Sequence, residues 1–307
     1  MSDLRPARVR VPCSTSNLGS GYDTIGLALQ RFLDVSFEPD SSGVLTLERT
    51  GMLERLHGDG TPDLVETAFR QKLTAAGVEP SGVMRQGSEI PVGRGLGSSA
   101  AATLAGYDLA RAVLGEAPDP DGAFTDATRR EGHPDNVAPS LYGGLQAVAK
   151  TADGPVLVAL PLSPEVGFAY SAPAAGVSTA DARSILPRQV HHKVAVASLG
   201  RVVALVRGLA EGDPDLIRIG VTDDLHVPHR LSLIPGVMSA MSAGMDAGAW
   251  AVTLSGAGSG LIAMCPLDRT DAVAEAMHEM FDAGTEDPEC VGFSVTPCST
   301  GLERLSD

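Results

Sequence analysis

The apolar positions of the chain change their spacing repeatedly, from the alternation that favours strands to the three-to-four-residue spacing that favours helices. Strands are predicted at residues 8–11, 32–38, 44–48, 83–90, 143–149, 156–160, 167–170, 250–254, 261–264 and 291–295. Helices are predicted at residues 61–77, 98–114, 121–130, 190–208, 238–247 and 272–281, with shorter ones around residue 181 and after residue 214. Because strands and helices mix in both halves without a regular βαβ alternation, the pattern predicts an α+β fold.

Local sequence signals predict the ends of a helix and a boundary between two domains. Thr61 is a favourable N-cap for the first predicted helix, and Gly77 can end that helix. The stretch 151–155 is the most linker-like point in the middle of the chain. We therefore expect two domains, residues 1–153 and residues 154–307.

Residues 91–102 are the most informative stretch, because three glycines alternate with other residues and two serines precede an alanine-rich helix. Glycine allows a positive φ and a close approach of the backbone to a ligand. A helix that begins near Ser98 would point its free N–H groups and the positive end of its dipole at this loop, which suits an anion such as phosphate. The candidate residues are Pro91, Gly93, Arg94, Gly95, Leu96, Gly97, Ser98, Ser99 and Ala100.

The glycines alone do not decide which ligand this loop binds. A Walker loop requires a lysine that the stretch lacks. Residues 95–100 satisfy the dinucleotide fingerprint, which normally follows a strand directly. Here only two apolar residues precede it, Pro91 interrupts them, and the motif comes after three predicted strands and a helix. A glycine-rich turn without a ligand explains the glycines about as well as a phosphate loop does.

The composition of the chain argues against several classes of function and of binding site. The net charge of -15 argues against a general nucleic-acid binder, and it requires local cations to hold any anionic substrate. No apolar run approaches the length of a membrane span, so no membrane partner is expected. The four cysteines are scattered and the histidines are not clustered, which predicts neither a disulfide framework nor a zinc site and favours a reducing cytoplasm.

Five further segments carry motifs besides the glycine loop. They lie at residues 9–27, 132–144, 179–187, 226–235 and 255–258. Residues 91–102 are similar to the motif Pro-x-x-x-Gly-Leu-x-Ser-Ser-Ala of the GHMP family of small-molecule kinases, and residues 255–258 to that family's C-terminal glycine loop. Together and in this order, the six segments resemble the homoserine kinases within that family.

The resemblance implies a two-domain GHMP-kinase-like fold with the active site in the cleft between the domains. The N-terminal domain would bind the nucleotide and contain a left-handed βαβ crossover, and the C-terminal domain would be ferredoxin-like. The implied reaction is ATP-dependent phosphorylation of the side-chain hydroxyl of L-homoserine, with Mg²⁺ as the metal. Homodimerisation is common in the family.

The resemblance also implies roles for individual residues. Backbone N–H groups of residues 93–99 would hold the nucleotide phosphates, with Ser98 or Ser99 near Mg²⁺. Two arginines suit the substrate carboxylate, carboxylates suit its ammonium group, and an amide or imidazole suits its hydroxyl. The candidate acceptor-site residues are Asn17, Asp23, His133, Asp135, Thr179, Arg183 and Arg230.

Two roles stay open at this point. Asp135 and His133 are both candidates for a general base, and positioning alone is a third alternative. In the related kinases a glutamate that helps to hold Mg²⁺ commonly lies eight residues before the histidine, where this chain has Thr125. Either the helix register shifts, another carboxylate such as Glu131 compensates, or metal binding is weaker. A different alcohol kinase and a binding protein without activity are the rival functions.

Overall fold

The computed structural model of the chain describes residues 4–56, 62–283 and 289–306. Its strands are β1 Ala7–Asn17, β2 Gly21–Pro39, β3 Leu45–Gly51, β4 Gly82–Ser88, β5 Leu145–Thr151, β6 Gly154–Leu160, β7 Val166–Ala172, β8 Ala251–Leu254, β9 Leu261–Pro266, β10 Val291–Val295 and β11 Glu303–Leu305. Its α-helices are α1 Leu64–Ala75, α2 Ser98–Val113, α3 Pro120–Glu131, α4 Val137–Tyr142, α5 Thr179–Ser184, α6 His192–Glu211, α7 Pro214–Val221, α8 Val227–Arg230, α9 Val237–Asp246 and α10 Thr270–Asp282. Each predicted strand and helix has a counterpart among these elements, and the α+β class is confirmed. The short elements α4, α8 and β11 were not predicted.

The first sheet contains seven strands. Five follow the order β11-β1-β2-β4-β3, and β5 pairs with both β2 and β6. The neighbours β3 and β4 are parallel and are joined through α1, so this unit is the predicted βαβ crossover, whose handedness stays a prediction. The helices α1 and α2 pack against each other, and Phe69 of α1 contacts Phe37 of β2 in the core.

The second sheet contains four strands in the order β10-β7-β9-β8, and all neighbouring pairs are antiparallel. Along the chain these strands come as β7, helices, β8, β9, α10 and β10. That succession with this strand order is the ferredoxin-like arrangement, in which α9 and α10 pack side by side. The predicted architecture of the second half is confirmed.

The predicted boundary at residue 153 falls in the turn between β5 and β6, which pair along their whole length. The last strand, β11, also returns to pair with β1 of the first sheet. On this hydrogen bonding we propose that the first unit continues through β6, that the division lies between Leu160 and Val166, and that the chain end rejoins the first unit.

The polar stretch 12–23 was predicted to be a loop, but most of it is strand. β1 continues to Asn17, and a register shift at Pro12/Cys13 accommodates the proline, which cannot donate to a regular ladder. The small polar side chains are buried here because other loops of the protein cover this part of the sheet. Only a tight turn remains, in which Asn17 and Leu18 have φ of 72° and 47°.

Helix ends agree with the local signals in part. Thr61 lies outside the described residues, and the N-cap of α1 is Asp63, whose side chain accepts a hydrogen bond from the N–H of Glu66. Gly77 follows α1 with a φ of +72°, as expected for a residue that ends a helix. Within the described ranges, no helix combines the length and the apolar character that crossing a bilayer requires.

Candidate active site

A cavity of about 340 Å³ lies where the β1–β2 turn, the glycine loop and the segment before α4 meet. Loops and helices of the second half close its other side. The predicted residues that line it are Asn17, Asp23, Gly93, Gly95, Gly97, Ser98, Ser99, His133, Asp135, Thr179, Arg183 and Arg230. Pro91, Arg94, Leu96 and Ala100 are not among the lining residues. Leu96 and Ala100 are completely buried, and the Arg94 side chain points to the carbonyl of Glu289.

The glycine loop ends in a helix whose first turn faces the cavity. α2 begins at Ser98, as predicted, and its N-cap Gly97 has a φ of 63°. No side chain caps this end of the helix, so its first N–H groups keep their capacity to bind an anion. The Ser98 hydroxyl accepts a hydrogen bond from the N–H of Gly93, which closes the loop. The loop therefore has the arrangement that binds phosphate at a helix N-terminus.

A second glycine-rich segment, residues 255–258, supports the first. The Ser255 hydroxyl donates to the carbonyl of Gly95 at 2.6 Å, and it also contacts the Thr15 hydroxyl of β1. A Cβ at Gly95 would lie 2.0 Å from the carbonyl oxygen of Ser255. The two loops are thus in backbone contact, which only a glycine at position 95 allows.

A carboxylate lies beside the predicted metal-binding serine. The Ser99 hydroxyl donates to Oε2 of Glu131 at 2.8 Å, and both residues line the cavity. Burial raises the pKa of Glu131. Thr125, by contrast, is exposed on α3 and donates to the carbonyl of Asp121. Of the three alternatives left open by the sequence, this geometry supports compensation by Glu131, because α3 turns this last residue towards Ser99.

His133 and Asp135 form a buried pair in the turn between α3 and α4. Nδ1 of His133 lies 2.5 Å from Oδ1 of Asp135, and the side chains are 9% and 2% exposed. Burial works against a charge on His133, but the contact with the carboxylate outweighs it and raises the pKa of the imidazole. Burial likewise works against the Asp135 carboxylate, but the hydrogen bond from His133 holds its pKa below the usual value. Asp135 thus orients the imidazole, whose other nitrogen has no partner among the described residues and is available to a ligand.

Asn17 is more firmly held than the sequence suggested. Its side-chain oxygen accepts from the N–H of Asp23 at 2.9 Å, and its nitrogen donates to the carbonyl of Gly256 at 2.8 Å. These bonds hold the β1–β2 turn to the second glycine segment. The predicted contact of Asn17 with an acceptor hydroxyl stays a prediction.

The two predicted arginines have different partners. Arg183 forms a two-point ion pair with Asp23, with distances of 2.6 Å and 3.1 Å. Arg230 is only 1% exposed and donates to the carbonyls of Ala182 and Gly256 and to Nδ1 of His226. In the part of the chain that the structure describes, no carboxylate pairs with the Arg230 guanidinium. A buried cation without a counter-ion is costly, so this site is prepared for an anion.

The other end of the cavity is apolar, and the sequence did not reveal it. Its walls come from β2, the segments after β3 and β4, and the start of α1, and they include Leu33, Leu53, Leu56, Leu64, Val65, Ile90 and Val92. Four polar side chains interrupt this wall: Gln86 and Ser88 on the inward face of β4, and the ion pair of Arg49 and Asp63. The Gln86 amide donates to Asp63, which Arg49 also holds. A buried glutamine at an alternating strand position was the only available sign of this part of the site.

Comparison with known proteins identifies related chains. Residues 63–144 match the family described as GHMP kinases N terminal domain, and residues 205–283 match GHMP kinases C terminal. The homoserine kinase of Moorella thermoacetica is 38% identical over 296 residues, which cover 95% of this chain and 98% of that protein. The crystal structure of homoserine kinase from Cytophaga hutchinsonii is similar, with a TM-score of 0.84, 30% identity and coverage of 99% and 98%. L. major mevalonate kinase in complex with R-mevalonate shares the fold, with a TM-score of 0.71, 15% identity and coverage of 97% and 99%.

Proposed function

The chain belongs to the GHMP kinase family, and from this premise we propose that it transfers the γ-phosphoryl group of ATP to the side-chain hydroxyl of L-homoserine. The product would be O-phospho-L-homoserine, an intermediate on the way to threonine. The observation that carries this choice of acceptor is the buried Arg230, which faces the cavity without a carboxylate partner among the described residues. An acceptor that brings its own carboxylate satisfies this charge.

An amino-acid zwitterion also fits the neighbouring ion pair. Arg183 and Asp23 offer one positive and one negative group within 2.6 Å of each other. The carboxylate of homoserine would bind to Arg230 and Arg183, and its ammonium group to Asp23. The substrate carboxylate would take the place of Asp23 beside Arg183, and the substrate ammonium group would take the place of Arg183 beside Asp23. Every charged group therefore keeps a partner of opposite charge.

The nucleotide fits the remaining parts of the cavity. Its phosphates would bind at the N-terminus of α2, and its base would lie in the apolar end near Gln86. The Ser99 hydroxyl and the Glu131 carboxylate are hard oxygen ligands 2.8 Å apart, and such ligands suit Mg²⁺. Bound there, Mg²⁺ would neutralise charge on the nucleotide phosphates.

The His133–Asp135 pair supplies the proton chemistry in this proposal. Asp135 holds Nδ1 of His133, so the neutral imidazole presents Nε2 as an acceptor. As the homoserine oxygen bonds to the γ-phosphorus, its proton moves to Nε2 and the bond from phosphorus to the ADP oxygen breaks. Positioning of the two substrates supplies most of the rate, as in other phosphoryl transfers.

The pH dependence follows from the raised pKa of His133. Only the neutral imidazole accepts a proton, so kcat is expected to fall as the pH drops through a value above 6.5. The stability that protonated His133 gains from Asp135 has the opposite pH dependence. It is complete below the pKa of histidine in the unfolded chain, and it is lost as the pH rises through the raised pKa of His133 in the folded protein. A profile of kcat between about pH 5.5 and pH 9 measures the acidic limb.

His133→Asn is expected to remove that acidic limb along with most of the activity. The matched control is His192→Asn, because His192 is exposed at the start of α6 and lies outside the cavity. An unchanged acidic limb in His133→Asn would assign the titration to another group.

Gly95→Ala is expected to lower the affinity for ATP by at least about tenfold and to destabilise the fold by roughly 2–4 kcal/mol, because a left-handed φ and an overlap with Ser255 both add cost. Gly77→Ala is the matched control, since Gly77 also has a positive φ but no atom within 4 Å of the added Cβ. ATP titration and thermal unfolding measure both effects. Equal destabilisation by the two substitutions, with normal ATP affinity, would contradict the role of the contact between the loops.

A panel of acceptors tests the proposed function against its rivals. ADP release is measured with L-homoserine, mevalonate and several sugars at saturating ATP and Mg²⁺. The expected result is the highest kcat/KM for L-homoserine. A preference for mevalonate or a sugar would indicate another alcohol kinase. Calorimetric binding of homoserine without ADP release would indicate a binding protein without activity.

Two further properties belong to the proposal. We expect a reducing cytoplasm, because Cys13, Cys265 and Cys298 are buried free thiols. We also expect a homodimer, which would cover the exposed apolar face that Val196, Leu199 and Val203 form on α6. Light scattering after size-exclusion chromatography measures the mass, and a monomer at all concentrations would contradict the dimer.

A further inference from the structure

Arg183 and Arg230 face the same cavity, and each lies close enough to affect the other. Burial lowers the pKa of Arg230, and the charge of Arg183 is among the groups that lower it further. Two cations that repel one another need a group that holds them in place. Asp23 does so for Arg183 through the ion pair, but it does not bond to Arg230.

The ring of Tyr22 contacts both arginines. Its centroid lies 5.3 Å from Cζ of Arg230 and 5.9 Å from Cζ of Arg183, both within the range of cation–π attraction. The Tyr22 hydroxyl also accepts a hydrogen bond from Nη1 of Arg183 at 3.3 Å. Tyr22 is not among the residues that line the cavity, whereas both arginines are.

The tyrosine ring is fixed by its own neighbour, His226. The two rings stack with their centroids 4.8 Å apart and an interplanar angle of 23°. Burial lowers the pKa of His226, so its imidazole is neutral, accepts from Arg230 at Nδ1 and donates to the carbonyl of Gly19 at Nε2. The stack therefore joins the start of β2, which carries Asp23, to the start of α8, which carries Arg230.

We propose that Tyr22 is a positioning residue that holds the guanidinium groups of Arg183 and Arg230 at the spacing needed for one acceptor carboxylate. This inference rests on the proposed function. A ring face attracts both cations without placing a negative charge beside them. A carboxylate at the same place would pair with the arginines and compete with the substrate.

The variants distinguish the effect of the Tyr22 ring from that of its hydroxyl. The kinetic constants distinguish an effect on homoserine binding from a general loss of activity. Tyr22→Leu removes both groups, Tyr22→Phe keeps the ring, and Tyr142→Leu is a matched control at a tyrosine that packs on Phe124. The KM for L-homoserine is expected to rise about tenfold or more in Tyr22→Leu, as the loss of two cation–π contacts predicts. The kcat and the KM for ATP are expected to stay within about twofold of the wild type, since Tyr22 does not line the cavity. Tyr22→Phe is expected to restore most of the homoserine KM.

Three outcomes would overturn the proposal. An unchanged homoserine KM in Tyr22→Leu would show that the ring does not position the arginines. A defect in Tyr22→Phe as large as that in Tyr22→Leu would assign the effect to the hydroxyl. Parallel losses in kcat, in the KM for ATP and in thermal stability would show a general structural role. A wild-type enzyme that does not phosphorylate homoserine would instead contradict the proposed function, and calorimetry with homoserine would then measure the Tyr22 effect on binding alone.

Discussion

Arg230→Met is expected to raise the KM for L-homoserine by roughly 150-fold, the effect of losing about 3 kcal/mol from a buried charged contact. Methionine keeps much of the buried volume but removes the charge that the substrate carboxylate requires. The KM for ATP is expected to change little, because in our proposal the nucleotide would bind at α2 and in the apolar end of the cavity. Steady-state kinetics with each substrate varied in turn measures both values.

The stability of Arg230→Met provides a second, independent result. In the substrate-free protein the guanidinium is buried without a carboxylate partner among the described residues, so its replacement is expected to leave the melting temperature unchanged or higher. Arg201→Met is the matched control, because Arg201 pairs with Asp224 at the surface of α6. A lower melting temperature with a normal homoserine KM would contradict the proposed role and indicate that Arg230 only supports the fold.

Glu131→Gln is expected to lower kcat/KM by on the order of 100-fold and to raise the Mg²⁺ concentration needed for half-maximal activity, because a neutral amide is a weaker ligand for a hard cation than a carboxylate is. The substitution preserves the size of the side chain and a hydrogen-bond acceptor for Ser99. Titration of activity with Mg²⁺, and of Mn²⁺ binding by electron paramagnetic resonance, measures the effect.

Thr125→Glu is the control for this prediction. It adds a carboxylate at the exposed position that the sequence comparison favoured, on a face of α3 that does not reach Ser99. No change in the Mg²⁺ dependence is expected. A tighter dependence in Thr125→Glu, together with a normal one in Glu131→Gln, would contradict the assignment of Glu131.

The turn and helix start of the glycine loop could be predicted from the sequence because their signals are local. Alternating glycines, two serines and an alanine-rich run specify a turn followed by a helix, and α2 begins at Ser98 as expected. The neighbouring carboxylate could not be predicted by counting residues. Which side chain of α3 reaches Ser99 depends on how that helix packs against α2, and the choice between Thr125 and Glu131 is a matter of tertiary structure.

The polar stretch around Asn17 shows a second limit. Small polar residues favour a loop in isolation, but tertiary contacts with Ser255 and Asn136 satisfy these side chains and keep β1 extended. The arginines also show that tertiary contacts decide the state of a side chain. The sequence suggested both Arg183 and Arg230, yet only the fold shows that one is already paired while the other is buried without a carboxylate among the described residues.

The apolar end of the cavity had no signature in the sequence, since its walls come from four separate segments whose apolar residues look like ordinary core positions. The sequence does not show that the polar side chains of Gln86 and Ser88 face a cavity; only the structure does. The turns and helix starts that local signals specify were therefore predictable, and the contacts that depend on packing between elements were not.

Product analysis tests the central claim most directly. The protein is incubated with ATP, Mg²⁺ and L-homoserine, and the mixture is followed by phosphorus nuclear magnetic resonance. The γ-phosphate signal of ATP is predicted to be replaced, mole for mole with ADP, by the phosphomonoester of O-phospho-L-homoserine. Homoserine that binds but acquires no phosphate at any Mg²⁺ concentration, or ADP that forms with free phosphate alone, would contradict the account.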